Sequence, residues 1–452
     1  MKNLLAYLGI DRSVAYTLAG RSWGLLSGII TLLLVARYLT PDEQGYYFTF
    51  ASILAMQTLF ELGMSVVVTQ FSSHEMAHLT WHETGTLEGD ARVKGRLRSL
   101  LLLVTKWYGV IAVLIIVVVL PVGWMFFSVN DTQLTVNWKV VWIWLVLASV
   151  ANIFFMPFLA LLEGCGRVTE VALIRMKQNM IGSFFAWSVL MWGGSLLALP
   201  AMHTGMVLTI LIWLWCTKKL FILRLLTQPV SAVAVNWKTE IWPFQWRIAL
   251  SWLSGYFIFQ LFTPILFIYR GSVEAGQMGM SISIANTLMG ITISWMNAKS
   301  PKFGSLVAKR DYINLDRIFI LTLSRSLAVM VFFGCGLGAI NFIIHAKNIN
   351  FAYRILDPLP FLLLVLATIF AYVTYAQATY LRAHKEEPFM VIGLISAALI
   401  GGSAVVLGKK YGAMGLMVSH AAVYGIVGVG WGSKIFFSKR REWQRNGATE
   451  VP

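Results

Sequence analysis

Two ionisable side chains fall inside long apolar runs. Arg21 lies about seven residues into the run 14–37, and Glu61 about eight residues from the end of the run 47–69. If those runs are helices, both groups sit roughly 10–12 Å below one surface. Such groups are costly inside a membrane, which makes each a site candidate by default. Joined by a short connection, the two runs should be neighbours, so Arg21 and Glu61 can meet. Their pairing would either tie two helices together or present a guanidinium to a ligand, with Glu61 orienting it or titrating. Arg175 and Lys177 open the run 172–198, and Arg247 opens 248–270, so these cations would ring a cavity entrance on the same side. A planar guanidinium grips phosphate through paired hydrogen bonds, which favours the arginines over Lys177. Gln57, Gln260 and Asn286 each stand about twelve residues from a run's end, roughly 18 Å in. Amides donate and accept, which suits hydroxyl-rich ligands; the same groups also bond helix to helix. Asn152, Asn179, Tyr256 and Tyr372 would extend that polar surface. At the opposite ends, Arg37 and Arg270 can meet the turn acids Asp42, Glu43 and Glu274, or act in an outer gate. Cations outnumber carboxylates in these positions, so the natural ligand is a multiply charged anion rather than a cation.

The elements that must hold these residues are membrane helices. Of 452 residues, 58% are apolar and 12% charged, about half the charge of a soluble domain, and the mean hydropathy is +0.71. Soluble globular and disordered chains are both excluded. Apolar runs recur at 14–37, 47–69, 100–127, 139–162, 172–198, 203–221, 248–270, 278–298, 319–344, 358–381, 389–407 and 413–436. They are too long and too uniform for barrel strands, so the fold expected is all-α with about 12 transmembrane helices. With the N-terminus inside, alternate loops hold 29 Lys and Arg on the inner side and 7 on the outer. That asymmetry places both termini in the cytoplasm and accounts for the net +16 without nucleic acid.

The chain also reads as a duplication. Arg37 precedes a short acidic turn and Gly45, and Arg270 precedes another and Gly279, about half a chain later. Two pseudo-symmetric six-helix lobes are expected, 1–226 and 248–437, with a linker 227–247 and a basic tail 438–452. The tail, Ser438 to Trp443, should lie on an anionic leaflet. Gly20, Gly24 and Gly28 form a small-residue stripe for close helix approach, and Pro157 and Pro264 should kink their spans. Trp107, Trp124, Trp138, Trp142, Trp242, Trp246, Trp252 and Trp431 lie near span ends, as interfacial belts do.

The stretch ARYLTPDEQGYY at 36–47, followed by FELGMSVVVTQFSS at 60–73, resembles the opening of Wzx-type polysaccharide flippases. These belong to the superfamily of multidrug, oligosaccharidyl-lipid and polysaccharide exporters. Ala36, Arg37, Leu39, Pro41, Gly45, Tyr47, Glu61, Leu62, Gly63 and Ser65 carry the likeness, and AGQMGMSISI at 275–284 fits as the second-half counterpart. The resemblance implies transfer of an undecaprenyl-pyrophosphate-linked oligosaccharide from the cytoplasmic to the periplasmic leaflet of a bacterial inner membrane, for polysaccharide or O-antigen synthesis. It also implies membrane lipids as partners, with a polysaccharide polymerase and a chain-length regulator downstream. No cofactor is called for beyond a coupling ion, H+ or Na+, for which Glu61 is the candidate. A cation-coupled multidrug exporter and a membrane-embedded polymerase or glycosyltransferase stay open as alternatives. Against an enzyme, the sequence holds no P-loop lysine, no metal-ligand spacing among its three cysteines, and no long outer loop. His203 and His345 are isolated and read as structural.

Overall fold

A computed structural model describes residues 12–82, 87–131, 136–227, 260–384 and 388–449, together with 235, 237–242, 245–246, 256 and 258. Arg247 and Trp252 lie outside the described residues. Among the described residues the structure is helical apart from turns and one short antiparallel pair, β1 (Leu79–Trp81) with β2 (Leu87–Gly89), which the apolar pattern gave no reason to expect. Eight of the described helical stretches are long and apolar enough to cross a membrane. The helices separate into two compact units, Met1–Leu39 with Ile53–Leu253, and Thr40–Ser52 with Ser254–Pro452.

In the first unit, α1 (Arg12–Tyr38) packs along the fifth expected span rather than the second. The second expected span starts at α2 (Pro41–Leu54), whose residues to Ser52 count with the other unit, and continues as α3 (Gln57–Glu61) and α4 (Met64–Met76). Then come α5 (Ala91–Leu114), which a π-helical turn joins to α6 (Leu120–Asn130), and α7 (Trp138–Gly164). The unit continues with α8 (Val168–Met191), α9 (Ala198–Trp213) and α10 (Lys219–Thr227). Gly20 of α1 meets Met176 of α8, and Thr31 accepts from the Trp187 indole at 2.9 Å. Contacts that advance together along both helices mean parallel packing, as two odd-numbered spans require. The expected glycine stripe is only partly used, because nothing lies within 4 Å of a Cβ built on Gly24 or Gly28. Trp138 and Trp142 do not face lipid: both are fully buried, and Trp142 lays its ring over Gly123 and donates to the Leu120 carbonyl at 3.0 Å.

The second unit holds α11 (Phe262–Arg270), α12 (Ser272–Ala308), α13 (Tyr312–Ala346), α14 (Pro358–Ala383), α15 (Met390–Val423) and α16 (Gly432–Thr449). The acid-bearing turns of the sequence motif are helical first turns. Asp42 and Glu43 open α2, Glu274 opens α12, and acids there complement the helix dipole. Thr40 and Glu43 form a reciprocal capping box, at 2.8 and 3.2 Å. Apolarity marks the membrane, not the helix, so the acidic first turns escaped the hydropathy pattern. Pro264 cannot donate to the carbonyl of residue 260, and helical geometry is interrupted at Gln260 and Leu261, between helical Tyr256 and Ile258 and the start of α11; Pro157 lies inside α7.

The helix α15 is a hairpin. Gly412 leaves helical geometry (φ 59°, ψ −143°), and the Ser403 and Ser419 hydroxyls touch across it. Sixteen residues of straight helix would hold them roughly 24 Å apart. The eleventh and twelfth expected spans are its two arms. A Cβ on Gly412 would fall 2.4 Å from the Glu274 carboxylate, which accepts from the Ala413 N–H at 2.6 Å. Gly412→Ala should therefore cost about 1–2 kcal/mol of left-handed strain and break that cap as well, a loss readable as a lower Tm in detergent.

Candidate functional site

The second span is broken where its charge lies. Leu62 and Gly63 both take left-handed geometry (φ 52° and 67°), and for leucine this costs roughly 1–2 kcal/mol. Broken helices inside membranes are tolerated where they line a cavity or are buried in protein. Glu61 precedes the break and is 6% exposed. Tyr108 of α5, itself fully buried, donates to its Oε1 at 3.0 Å, and Ser65, just past the break, interacts with the same phenol. The expected Arg21–Glu61 pair does not form. Among the described residues no basic group lies within 4 Å of Glu61, because α1 is carried away to α8. Tyr108→Phe should cost about 1–3 kcal/mol by leaving a buried carboxyl oxygen without its donor. A Tm unchanged within error would show that Glu61 finds another.

Beside the break lies a cavity of about 220 Å³ lined by Ser65, Asn152, Arg175, Gln178 and Asn179, with Met156, Leu159, Met206 and Ile210 as its apolar wall. One water needs only about 10–15 Å³ of such space. Arg175, Gln178 and Asn179 follow i, i+3, i+4 spacing, so they share one face of α8. Gly182 continues that face and lets Met202 and Met206 of α9 approach, for a Cβ there would meet Met206 at 2.8 Å. Arg175 reaches Glu163 of α7 at 2.8 Å and keeps half its side-chain surface open. Guanidinium carries five N–H donors. Glu163 engages one edge and fixes its direction, which leaves donors for an anion. Gln178 is buried and gives its amide to the Met206 carbonyl at 3.2 Å. Arg21 neighbours Gly20 and Arg175 neighbours Met176, so the Gly20–Met176 contact puts both arginines at one level of the α1–α8 pair.

The remaining candidates are dispersed. Gln57 accepts from Ser149 of α7 at 2.6 Å, an interhelical bond. Gln260 is half-buried in a turn before α11, Asn286 is exposed on α12, and Tyr372 is bonded to Ser326 in a buried contact. Arg37 is exposed, its guanidinium 5.7 Å from the Tyr38 ring centre. Arg270 donates to the Lys410 carbonyl at 2.8 Å and flanks Gly412, so it clasps the α15 hairpin. Arg247 is outside the described residues. Tyr108, Glu163 and Gln178 were missed in the sequence. The polar i, i+3, i+4 face of the fifth span could have revealed Gln178; Glu163 and Tyr108 come from other helices and left no local signal.

No family model matches the chain, and neither does any curated protein. Solved structures do match over nearly its whole length. The lipid II flippase MurJ in an inward closed conformation aligns with a TM-score of 0.66 at 10% identity, covering 96% of this chain and 91% of that one. An inward-facing multidrug resistance MATE family transporter of the MOP superfamily gives 0.63 at 13% identity, covering 93% and 95%. The eukaryotic MATE transporter AtDTX14 gives 0.56 at 14% identity, covering 96% and 97%. The chain therefore has the fold of MOP superfamily membrane transporters, and these neighbours are transporters, not enzymes.

Proposed function

We propose that this protein is a flippase that carries an undecaprenyl-pyrophosphate-linked oligosaccharide from the cytoplasmic to the periplasmic leaflet by alternating access. The observation that carries the reading is the α8 cavity, where Arg175, aimed by Glu163, stands beside the amides of Asn152, Gln178 and Asn179. The guanidinium suits a diphosphate and the amides suit the first sugar. Arg21, at the same level, adds a second cation for the same anion. The motif at 36–73 and the 29-to-7 charge asymmetry support it, with both termini cytoplasmic in a bacterial inner membrane. The product would feed a polysaccharide polymerase and its chain-length regulator.

Glu61 favours a second reading, a cation-coupled exporter, because a buried carboxyl at a helix break also suits a cation. Under the first reading Glu61 couples transport to H+ or Na+. Purified protein in liposomes separates the two. A fluorescent polyprenyl-pyrophosphate disaccharide should cross from one leaflet to the other, while a permeant cationic dye should not be transported. The opposite pattern would replace the flippase with the exporter.

A further inference from the structure

The helix α16 has two faces. Phe436, Arg440 and Trp443, spaced i, i+4, i+7, hold it against the second unit. Phe436 is buried against Phe319 and Tyr380. The Arg440 guanidinium grips Asp316 of α13 through Nε at 3.0 Å and Nη2 at 2.6 Å, and Tyr380 donates to the same carboxylate at 2.8 Å. Trp443 stacks on His384, their ring centres 3.7 Å apart and 5° from parallel. With that face committed, the rotation of the helix is fixed. The other face therefore has a fixed direction too.

That second face carries Lys434, Phe437, Ser438, Arg441, Glu442 and Arg445 side by side. Lys434, Arg441 and Arg445 are all exposed, and Phe437 is 49% exposed between them. Glu442 stands 3.3 Å from Lys439 of its own helix, so the one acid on this face has a cation beside it. The apolar arm Tyr424–Trp431 runs directly into α16, which puts the helix at a membrane surface. A cationic stripe with an aromatic wedge there matches a headgroup layer, where the ring can enter the acyl boundary and the long cationic side chains can reach phosphates.

We propose that this face of α16 binds the headgroups of anionic phospholipids in the adjoining leaflet, a site separate from the Arg175 cavity. Lys434 and Arg445 stand about three turns apart, so the face spans more than one headgroup. The test is thermal unfolding of the full-length protein in neutral detergent supplemented with phosphatidylglycerol or with phosphatidylcholine. The wild type should gain several degrees of Tm from phosphatidylglycerol over phosphatidylcholine. K434Q/R441Q/R445Q should keep its Tm in phosphatidylcholine and lose that increment, and R441Q alone should lose part of it. R440Q, which releases the docked face, should unfold earlier in both lipids. No increment in the wild type, or a full increment in the triple variant, overturns the proposal. The same increment from soluble glycerol phosphate also overturns it, since free anions would then suffice.

Discussion

If the proposed flippase function holds, Arg175→Ala is expected to reduce glycolipid translocation at least about 30-fold while leaving the protein folded in the membrane. Removing one side of a desolvated charge-assisted contact typically costs about 2–5 kcal/mol, or roughly 30- to 5,000-fold. Folding should suffer little, because Arg175 is half-exposed and its ion pair with Glu163 is partly solvated. Arg175→Lys keeps the charge but loses the planar fork, so it should recover only part of the rate. Glu163→Gln keeps both the charge and the fork and removes the group that aims them. Its loss should be smaller than that of alanine, and it should appear chiefly as weaker apparent affinity. Transport of the labelled disaccharide lipid in liposomes measures all three. A wild-type rate in the alanine variant would remove Arg175 from the site, and with it the anion-binding reading of the cavity.

The fold was legible in the sequence to the extent that hydropathy encodes it. Long apolar runs and alternating cationic loops made a multi-span helical protein the natural expectation. The site was legible only in part. Arg175 and its neighbours Asn152 and Asn179 could be picked out because polar groups are rare in apolar runs. Their assembly could not, because it depends on which helices touch. The pairing of Arg21 with Glu61 rested on sequence adjacency of the first two spans, but α1 packs on α8, and the two arginines come level instead. The break at Leu62 was hidden for a related reason: leucine does not announce left-handed geometry. Gly63 belongs to the sequence motif, and nothing local marks it as a helix break. The Trp138 and Trp142 pair shows the same limit: position near a span end does not tell a lipid-facing ring from one packed in protein, and Gly123 makes room for the buried Trp142 ring.

Gly45→Ala should cost about 2–6 kcal/mol, more than alanine at Gly279 or Gly304. The built Cβ lies 2.0 Å from the Ser272 carbonyl oxygen and 2.6 Å from its carbon. Both are backbone atoms, so no rotamer change relieves the clash and α2 must withdraw from α12. Overpacking costs roughly 1–3 kcal/mol. Withdrawal also strips the neighbouring Gln44 amide from the carbonyls of Gly276 and Arg354, now 2.9 and 2.8 Å away, at about 1–3 kcal/mol for buried groups left unpaired. Gly279 is the repeat counterpart and packs reciprocally, since a Cβ there would meet Phe48 Cβ and Cγ, each at 2.3 Å. Phe48 Cβ is held by the backbone, so Gly279→Ala also forces the helices apart, but it does so a turn away from the Gln44 bonds and should cost less. Gly304, with nothing within 4 Å, should tolerate alanine and gain up to about 1 kcal/mol of helix propensity. Thermal unfolding of the three variants in detergent should therefore rank Gly45→Ala lowest, Gly279→Ala next and Gly304→Ala highest. If Gly45→Ala matched Gly304→Ala, the close approach of the two motif-bearing helices would not be present in the folded protein. The duplicated glycines would then need an explanation other than mutual packing.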